Sequence, residues 1–154
     1  MPLQILDSPD SLKALIGQEI AVTEWFNITQ ERIQQFADAT LDHQWIHVNT
    51  DRARRESPFK APIAHGFLTL SLLPHFMQEA LQIKNGVRLG VNYGLNRVRF
   101  VSPVRAGSNV RARITLQSLK EVTDGVEAVF HATVEVEGGT KPACVAEWIV
   151  RYYR

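Results

Sequence analysis

The stretch from His65 to Gln82 constrains this chain more than any other, because it is apolar almost all the way round a helix. Phe67, Leu68, Leu70, Leu72, Leu73, Phe76, Met77, Ala80 and Leu81 leave no broad polar face, and that pattern describes a buried helix. At about 17 residues and about 1.5 Å per residue it would run about 25 Å. Such a helix has to be enclosed, and the material to enclose it lies downstream. Val110, Ala112, Ile114 and Leu116 alternate with polar residues, as do Val126, Ala128, Phe130, Ala132, Val134 and Val136, and then Cys144, Ala146, Trp148, Val150 and Tyr152. A period of two describes strands with one buried face, and Thr123-Asp124-Gly125 and Gly138-Gly139 turn the chain between them. Val87 to Pro103 reads as a further strand, with Val98 and Phe100 set against Arg97 and Arg99. The expected class is α+β, an antiparallel sheet curled around a central apolar helix. Pro74 lies inside that helix and predicts a kink or a break, since proline has no N–H to donate.

Upstream, Ser8-Pro9-Asp10 followed by Leu12, Leu15, Ile16 and Gly17 combines an N-cap, a proline at the first helical position, an apolar stripe and a terminal glycine. These predict a short opening helix that covers one end of the sheet, so residues 1–17 form an N-terminal helical extension of one domain spanning 1–154. Glu19 to Phe26 alternates as a first strand. Thr29 then caps a helix whose buried face is Ile33, Phe36 and Ala37. That helix delivers a loop carrying Asp42 and His47. Asn49 caps another short helix through Ala53 with a solvated charged face, and Ser57-Pro58-Phe59-Lys60-Ala61-Pro62 is a loop.

Composition removes several function classes. A chain of 154 residues is one domain of ordinary size, and a net charge of +1 argues against binding nucleic acid or a membrane surface through bulk electrostatics. The single cysteine, Cys144, rules out an internal disulfide or a thiolate cluster and reads as a small buried hydrophobe. No run reaches the length of a membrane span, and the N-terminus lacks a basic and apolar leader, so the expectation is a soluble cytoplasmic protein.

Asp42 and His47, five positions apart on one loop, are the residue types that acid–base chemistry near neutral pH requires. Any one such pair also reads as a capping carboxylate and a satisfied histidine, and spacing alone does not choose between the two. Gly66 opens the apolar helix, where free N–H groups could polarise a carbonyl. Tight packing of helix against sheet explains a glycine equally well. No metal site is expected. His43 and His47 are four apart on a loop, and His65 and His75 would face sides about 80° apart with an axial offset near 15 Å. His131 falls on the outer face of its strand.

The run Phe36, Asp42, Gln44, Ile46, His47 and Ala53, with Ile63-Ala64-His65-Gly66 and Asn92-Tyr93-Gly94, resembles the MaoC-like (R)-specific enoyl-CoA hydratases. Among these it is most similar to the nodulation protein N-like dehydratases, over about residues 18 to 154. Asp42, Ile46, His47 and Ala53 match the family pattern, while Leu41 replaces its glycine, Gln44 its asparagine and Trp45 its proline. Pro74 stands where many members carry a serine. The resemblance implies the hot-dog fold, a homodimer with sites near the subunit interface, and a coenzyme A or acyl-carrier-protein thioester as substrate, with no separate cofactor. It also implies reversible addition of water to a trans-2-enoyl thioester, giving an (R)-3-hydroxyacyl thioester, with Asp42 and His47 catalytic. Gly66, Gln44, His65, Ser71 and Asn92 are the expected substrate-binding positions, with His65 buttressing the loop, and Lys84, Arg88, Arg97 and Arg99 are candidates for the phosphates of coenzyme A. Two other readings stay open: a hot-dog thioesterase, for which the helix offers only Glu79 as a carboxylate, and an acyl-thioester binding protein without turnover.

Overall fold

The computed structural model describes all 154 residues. In chain order the elements are β1 (Gln4–Leu6), a 3₁₀ helix (Pro9–Leu15), β2 (Glu19–Val22), β3 (Phe26–Asn27), α1 (Gln30–Thr40), α2 (Trp45–Val48), α3 (Thr50–Glu56), α4 (Gly66–Ser71), α5 (Leu73–Ala80), β4 (Leu81–Ile83), β5 (Leu89–Arg99), β6 (Asn109–Val122), β7 (Gly125–Val136) and β8 (Cys144–Tyr153). The main sheet is antiparallel in the order β2-β6-β7-β8-β5, with β3 also pairing to β6. Its inner face carries the alternating residues that the sequence singles out. Val110, Ala112, Ile114, Leu116, Phe130, Val134 and Trp148 close over Leu68, Leu72, Leu73, Phe76, Met77 and Ala80 in one core. Full burial of Phe76 and Phe130 contributes roughly 1.5–3 kcal/mol each by the area rule. The chain is a hot-dog fold: a curled sheet around a central helical segment.

That segment is broken rather than continuous. α4 ends at Ser71 and α5 begins at Leu73, with Pro74 in its first turn. Pro74 cannot donate back to the preceding turn, and Leu72 N–H reaches only to Thr69 O at 3.2 Å. The helix also stops two residues earlier than its apolar pattern predicts. Leu81 and Gln82 belong to β4, which runs parallel to β1 in a small separate sheet. The expected first strand is likewise divided, because Thr23 lies between β2 and β3 and its Oγ1 accepts the Ala112 N–H at 2.9 Å. The opening helix is a 3₁₀ helix, and the edge strand spans Leu89 to Arg99 rather than the full Val87 to Pro103.

Strand β5 is a sheet edge, and its apolar side chains are not covered. Leu89, Val91, Tyr93 and Leu95 are 42, 41, 55 and 43 % exposed. Cys144 is fully buried, and burial pushes its thiol up to about 11, which leaves it unreactive. No helix is long and apolar enough to cross a membrane.

Candidate active site

The site is built where the end of α1, the turn of α2 and the start of α4 converge. Thr29 Oγ1 caps α1 by accepting the Arg32 N–H at 3.1 Å, and Ile33 and Ala37 anchor the helix in the core. The helix ends on Leu41, whose φ of 65° and ψ of 20° are left-handed. Leucine therefore takes the conformation that a glycine would favour, and its side chain is 80 % exposed, so nothing packs against the strained turn. The reversal presents Asp42. Its Oδ1 accepts the Gln44 N–H at 3.3 Å and folds the loop onto α2. His47 was expected on a loop but lies on the single turn of α2, whose carbonyl at His47 is held by Gln30 Nε2 at 2.8 Å.

The segment before α4 pins this turn twice. Ile63 N–H donates to Ile46 O at 3.0 Å, and Ile63 O accepts from His47 Nδ1 at 2.7 Å. A carbonyl only accepts, so Nδ1 carries the proton and the neutral ring leaves Nε2 bare. Burial pulls the His47 imidazole below its ordinary pKa. The Ile63 carbonyl opposes this, the neighbouring His65 adds to it, and the Asp42 carboxylate opposes it. Position 47 thus holds a neutral imidazole with a fixed tautomer and one free acceptor.

His65 is buried, with its ring between Phe36 and His47. The two imidazoles stack at 3.8 Å between centroids, tilted by 21°, and Phe36 lies 4.9 Å away on the other side. Nε2 of His65 donates to the backbone carbonyl of Asp42 at 3.0 Å. A residue so enclosed does not present itself to a ligand. It ties the first residue before α4 to the Asp42 loop.

One nitrogen or oxygen from each of Asp42, His47 and His65 falls within 4.8 Å of the others. The His47 and His65 rings are stacked at 3.8 Å between centroids and tilted by 21°, so their in-plane lone pairs run nearly side by side rather than converging on one ion. The cluster suits a polarised water better than a metal. His43 turns away to Asp38, whose carboxyl its hydrogen bond at 2.9 Å holds below the usual range, and His75 lies in α5 beside Phe26 and Glu79.

The remaining expected positions divide between two clefts on either flank of α4. Gly66 lines one of about 300 Å³ with Ile63, Thr69 and Phe100. A Cβ on Gly66 would meet Cγ and Cδ2 of Phe100 at 2.8 Å, so the close approach of that ring requires glycine here. Ser71 and Asn92 line the other, also about 300 Å³, with Pro74, Leu95 and Trp148. Ser71 Oγ is engaged with Phe67 O at 2.6 Å, whereas Asn92 accepts Trp148 Nε1–H at 3.0 Å through Oδ1 and keeps its amide donors for the cleft. Gln44 is exposed beside Asp42 and makes no side-chain bond within the chain. Two participants were not foreseen. Phe100 was read only as one member of an alternating strand, and the Ile63 carbonyl has no side-chain signature at all.

Comparison with known proteins identifies the family of the chain. The chain is 50% identical over 151 residues to the 3-hydroxyacyl-thioester dehydratase Z of Mycobacterium tuberculosis (strain H37Rv), covering 97% of this chain and 99% of that protein. It is 44% identical over 143 residues to nodulation protein N of Rhizobium meliloti, covering 92% and 89%. Among solved structures, the (R)-hydratase from A. caviae involved in PHA biosynthesis superposes with a TM-score of 0.72 at 23% identity, over 89% of this chain and 96% of that one, a likeness of fold. A family model described as the MaoC like domain matches residues 11–140. The chain therefore belongs to the MaoC-like dehydratase domain family.

Proposed function

We propose that this protein catalyses the reversible hydration of trans-2-enoyl thioesters to (R)-3-hydroxyacyl thioesters, with Asp42 and His47 as the catalytic pair. The observation that carries the reading is the neutral His47, its Nε2 bare and set beside the Asp42 carboxylate. A water held between these two acceptors is aligned for attack. Its oxygen bonds to the β-carbon, one of its protons passes to the pair, and the pair returns a proton to the α-carbon, so no proton is consumed overall. The enolate-like charge that develops on the thioester oxygen needs a donor. The Gly66 N–H, at the start of α4, serves this role. Because α4 spans only six residues, the contribution is the N–H itself rather than a macrodipole. Gln44 and Asn92 offer free amides to the acyl thioester, and Ser71 shapes the cleft. Proton transfer of this kind calls for no separate cofactor.

The identity to a 3-hydroxyacyl-thioester dehydratase over nearly the whole chain supports the same reaction class. A thioesterase is less well served, because Glu79 is near the far end of α5 and faces His75 at 3.3 Å. A non-catalytic binding protein is disfavoured because Leu41 preserves the loop in spite of its side chain.

The proposal includes a homodimer paired through the β5 edges. A long edge strand with four exposed apolar side chains invites a second copy.

The test is the loss of enoyl absorbance when the protein meets a short trans-2-enoyl-CoA, with product stereochemistry determined. We expect (R)-3-hydroxyacyl-CoA from the wild type and a loss of at least about 10²-fold in kcat for both Asp42→Asn and His47→Gln. Release of free coenzyme A would point to the thioesterase, and binding without turnover to the binding protein.

A further inference from the structure

His47 sits on a helical turn too short to satisfy every carbonyl it carries. α2 stops at Val48 and Asn49 is extended, so no continuing turn brings an N–H to the His47 carbonyl. Its partner is a side chain from another element, the Gln30 amide, whose Nε2 donates at 2.8 Å. Gln30 is the first residue of α1, directly after the cap on Thr29 and three positions before the buried Ile33, so the amide stands on a fixed base. A carbonyl only accepts, and the amide must therefore present its nitrogen. Its other end, Oε1, is left buried with no hydrogen-bond partner in the chain. An acceptor sealed in that way costs stability, and a residue placed for stability alone would satisfy both ends of its amide.

Two different elements thus hold His47, one at the backbone and one at the ring. Gln30 of α1 holds its carbonyl, and Ile63, before α4, accepts the proton of its imidazole at 2.7 Å. The ring bond forms only if the backbone stands at the right distance from Ile63. We infer that Gln30 is a positioning residue for the reaction: through the His47 carbonyl it sets where the imidazole lies, and so keeps the proton on Nδ1 and leaves Nε2 free for the water. This rests on the hydratase reading for the role of Nε2, but not for the hold on the ring itself. The same helix delivers Asp42 just beyond its C-terminal end, where Leu41 turns the chain. α1 therefore bears on both acceptors, His47 from its first residue and Asp42 from its last. A displacement of about 1 Å in a reacting group is enough to cost on the order of 10²-fold in rate.

The test is Gln30→Met, which keeps the length of the side chain and removes both the donor and the orphaned acceptor. With a short trans-2-enoyl-CoA, kcat should fall about tenfold or more while KM stays within about twofold. Imidazole nitrogen NMR reads the tautomer directly: His47 should be wholly the Nδ1–H form in the wild type and a mixture of the two forms in the variant. A packing role would move neither readout, since methionine fills the same space. An unchanged kcat, or an unchanged tautomer, overturns the assignment. Should Gln30→Met fail to fold, Gln30→Glu takes its place under the same two readouts; its carboxylate has no proton to give the His47 carbonyl and can turn to Arg54, which lines the same cleft. If the wild type hydrates no enoyl thioester, the hydratase reading fails, and the tautomer alone decides the hold of Gln30 on the ring. A mixture in the variant supports it, and a single Nδ1–H form overturns it.

Discussion

At the scale of single residues, the proposed chemistry turns on one hydrogen bond. Ile63 O fixes the proton of His47 on Nδ1, and burial keeps the ring neutral where a free imidazole would begin to charge. Protonation would remove the acceptor at Nε2, so hydration should hold as pH falls to about 6.5, the ordinary histidine value, and decline only below it. The Asp42 carboxylate raises the His47 pKa, and Asp42→Asn should therefore move the titration further down. Ring-proton NMR of His47 in both proteins measures this. A wild-type midpoint above the ordinary value, or an upward move in the variant, would refute the electrostatic account. Leu41 shows the same economy of local structure: its left-handed backbone costs roughly 1–2 kcal/mol, and the exposed side chain does nothing to offset it. The turn leaves an oxygen of Asp42 within 4.8 Å of a ring nitrogen of His47.

At the scale of elements, α4 is the shared wall of the site. One flank opens on Gly66 and Phe100, the other on Ser71 and Asn92, and the residue before it is tied back to Asp42 by His65. Gly66→Ala would place a methyl 2.8 Å from the Phe100 ring, too close for the ring to stay. Because Phe100 is 44 % exposed it can swing aside, so stability should change by only about 1 kcal/mol. The cleft, however, would lose its wall. Steady-state kinetics should show kcat/KM down about tenfold or more through KM, with part of it recovered when Phe100→Ala is added. An unimpaired Gly66→Ala would mean that the Phe100 contact is incidental. The break at Leu72 belongs to this scale too: the apolar pattern runs through it undisturbed, and only the missing N–H of Pro74 marks it.

At the scale of the whole molecule, the uncovered β5 edge predicts the assembly. Sedimentation should find a dimer. Val91→Lys with Leu95→Lys, which sets charge on both faces of the edge, should yield a folded monomer with enoyl hydration reduced at least tenfold. A wild-type monomer with full activity would exclude the β5 interface. The sheet order behind this prediction was only half legible. Alternation identified β6, β7 and β8 together with their hairpin turns, because each strand buries one face and the period of two is written in side chains. The pairing of β1 with β4 carried no such mark: three residues each, pairing in parallel across the chain, are too short to show a period.

The sequence by itself determined the core, the enclosing sheet, and the placing of Asp42 and His47 five positions apart after α1. Those depend on side-chain identity at local spacing, which a reader of the chain can see. Tertiary structure alone decided how Asp42 and His47 are held. The tautomer of His47 is set by a backbone carbonyl sixteen residues away, the Asp42 loop by a buried histidine twenty-three residues away, and the need for Gly66 by a ring from the end of β5. Every residue carries the same carbonyl, so a bond to one leaves no trace in composition or spacing. Only the folded chain shows which one points at the imidazole.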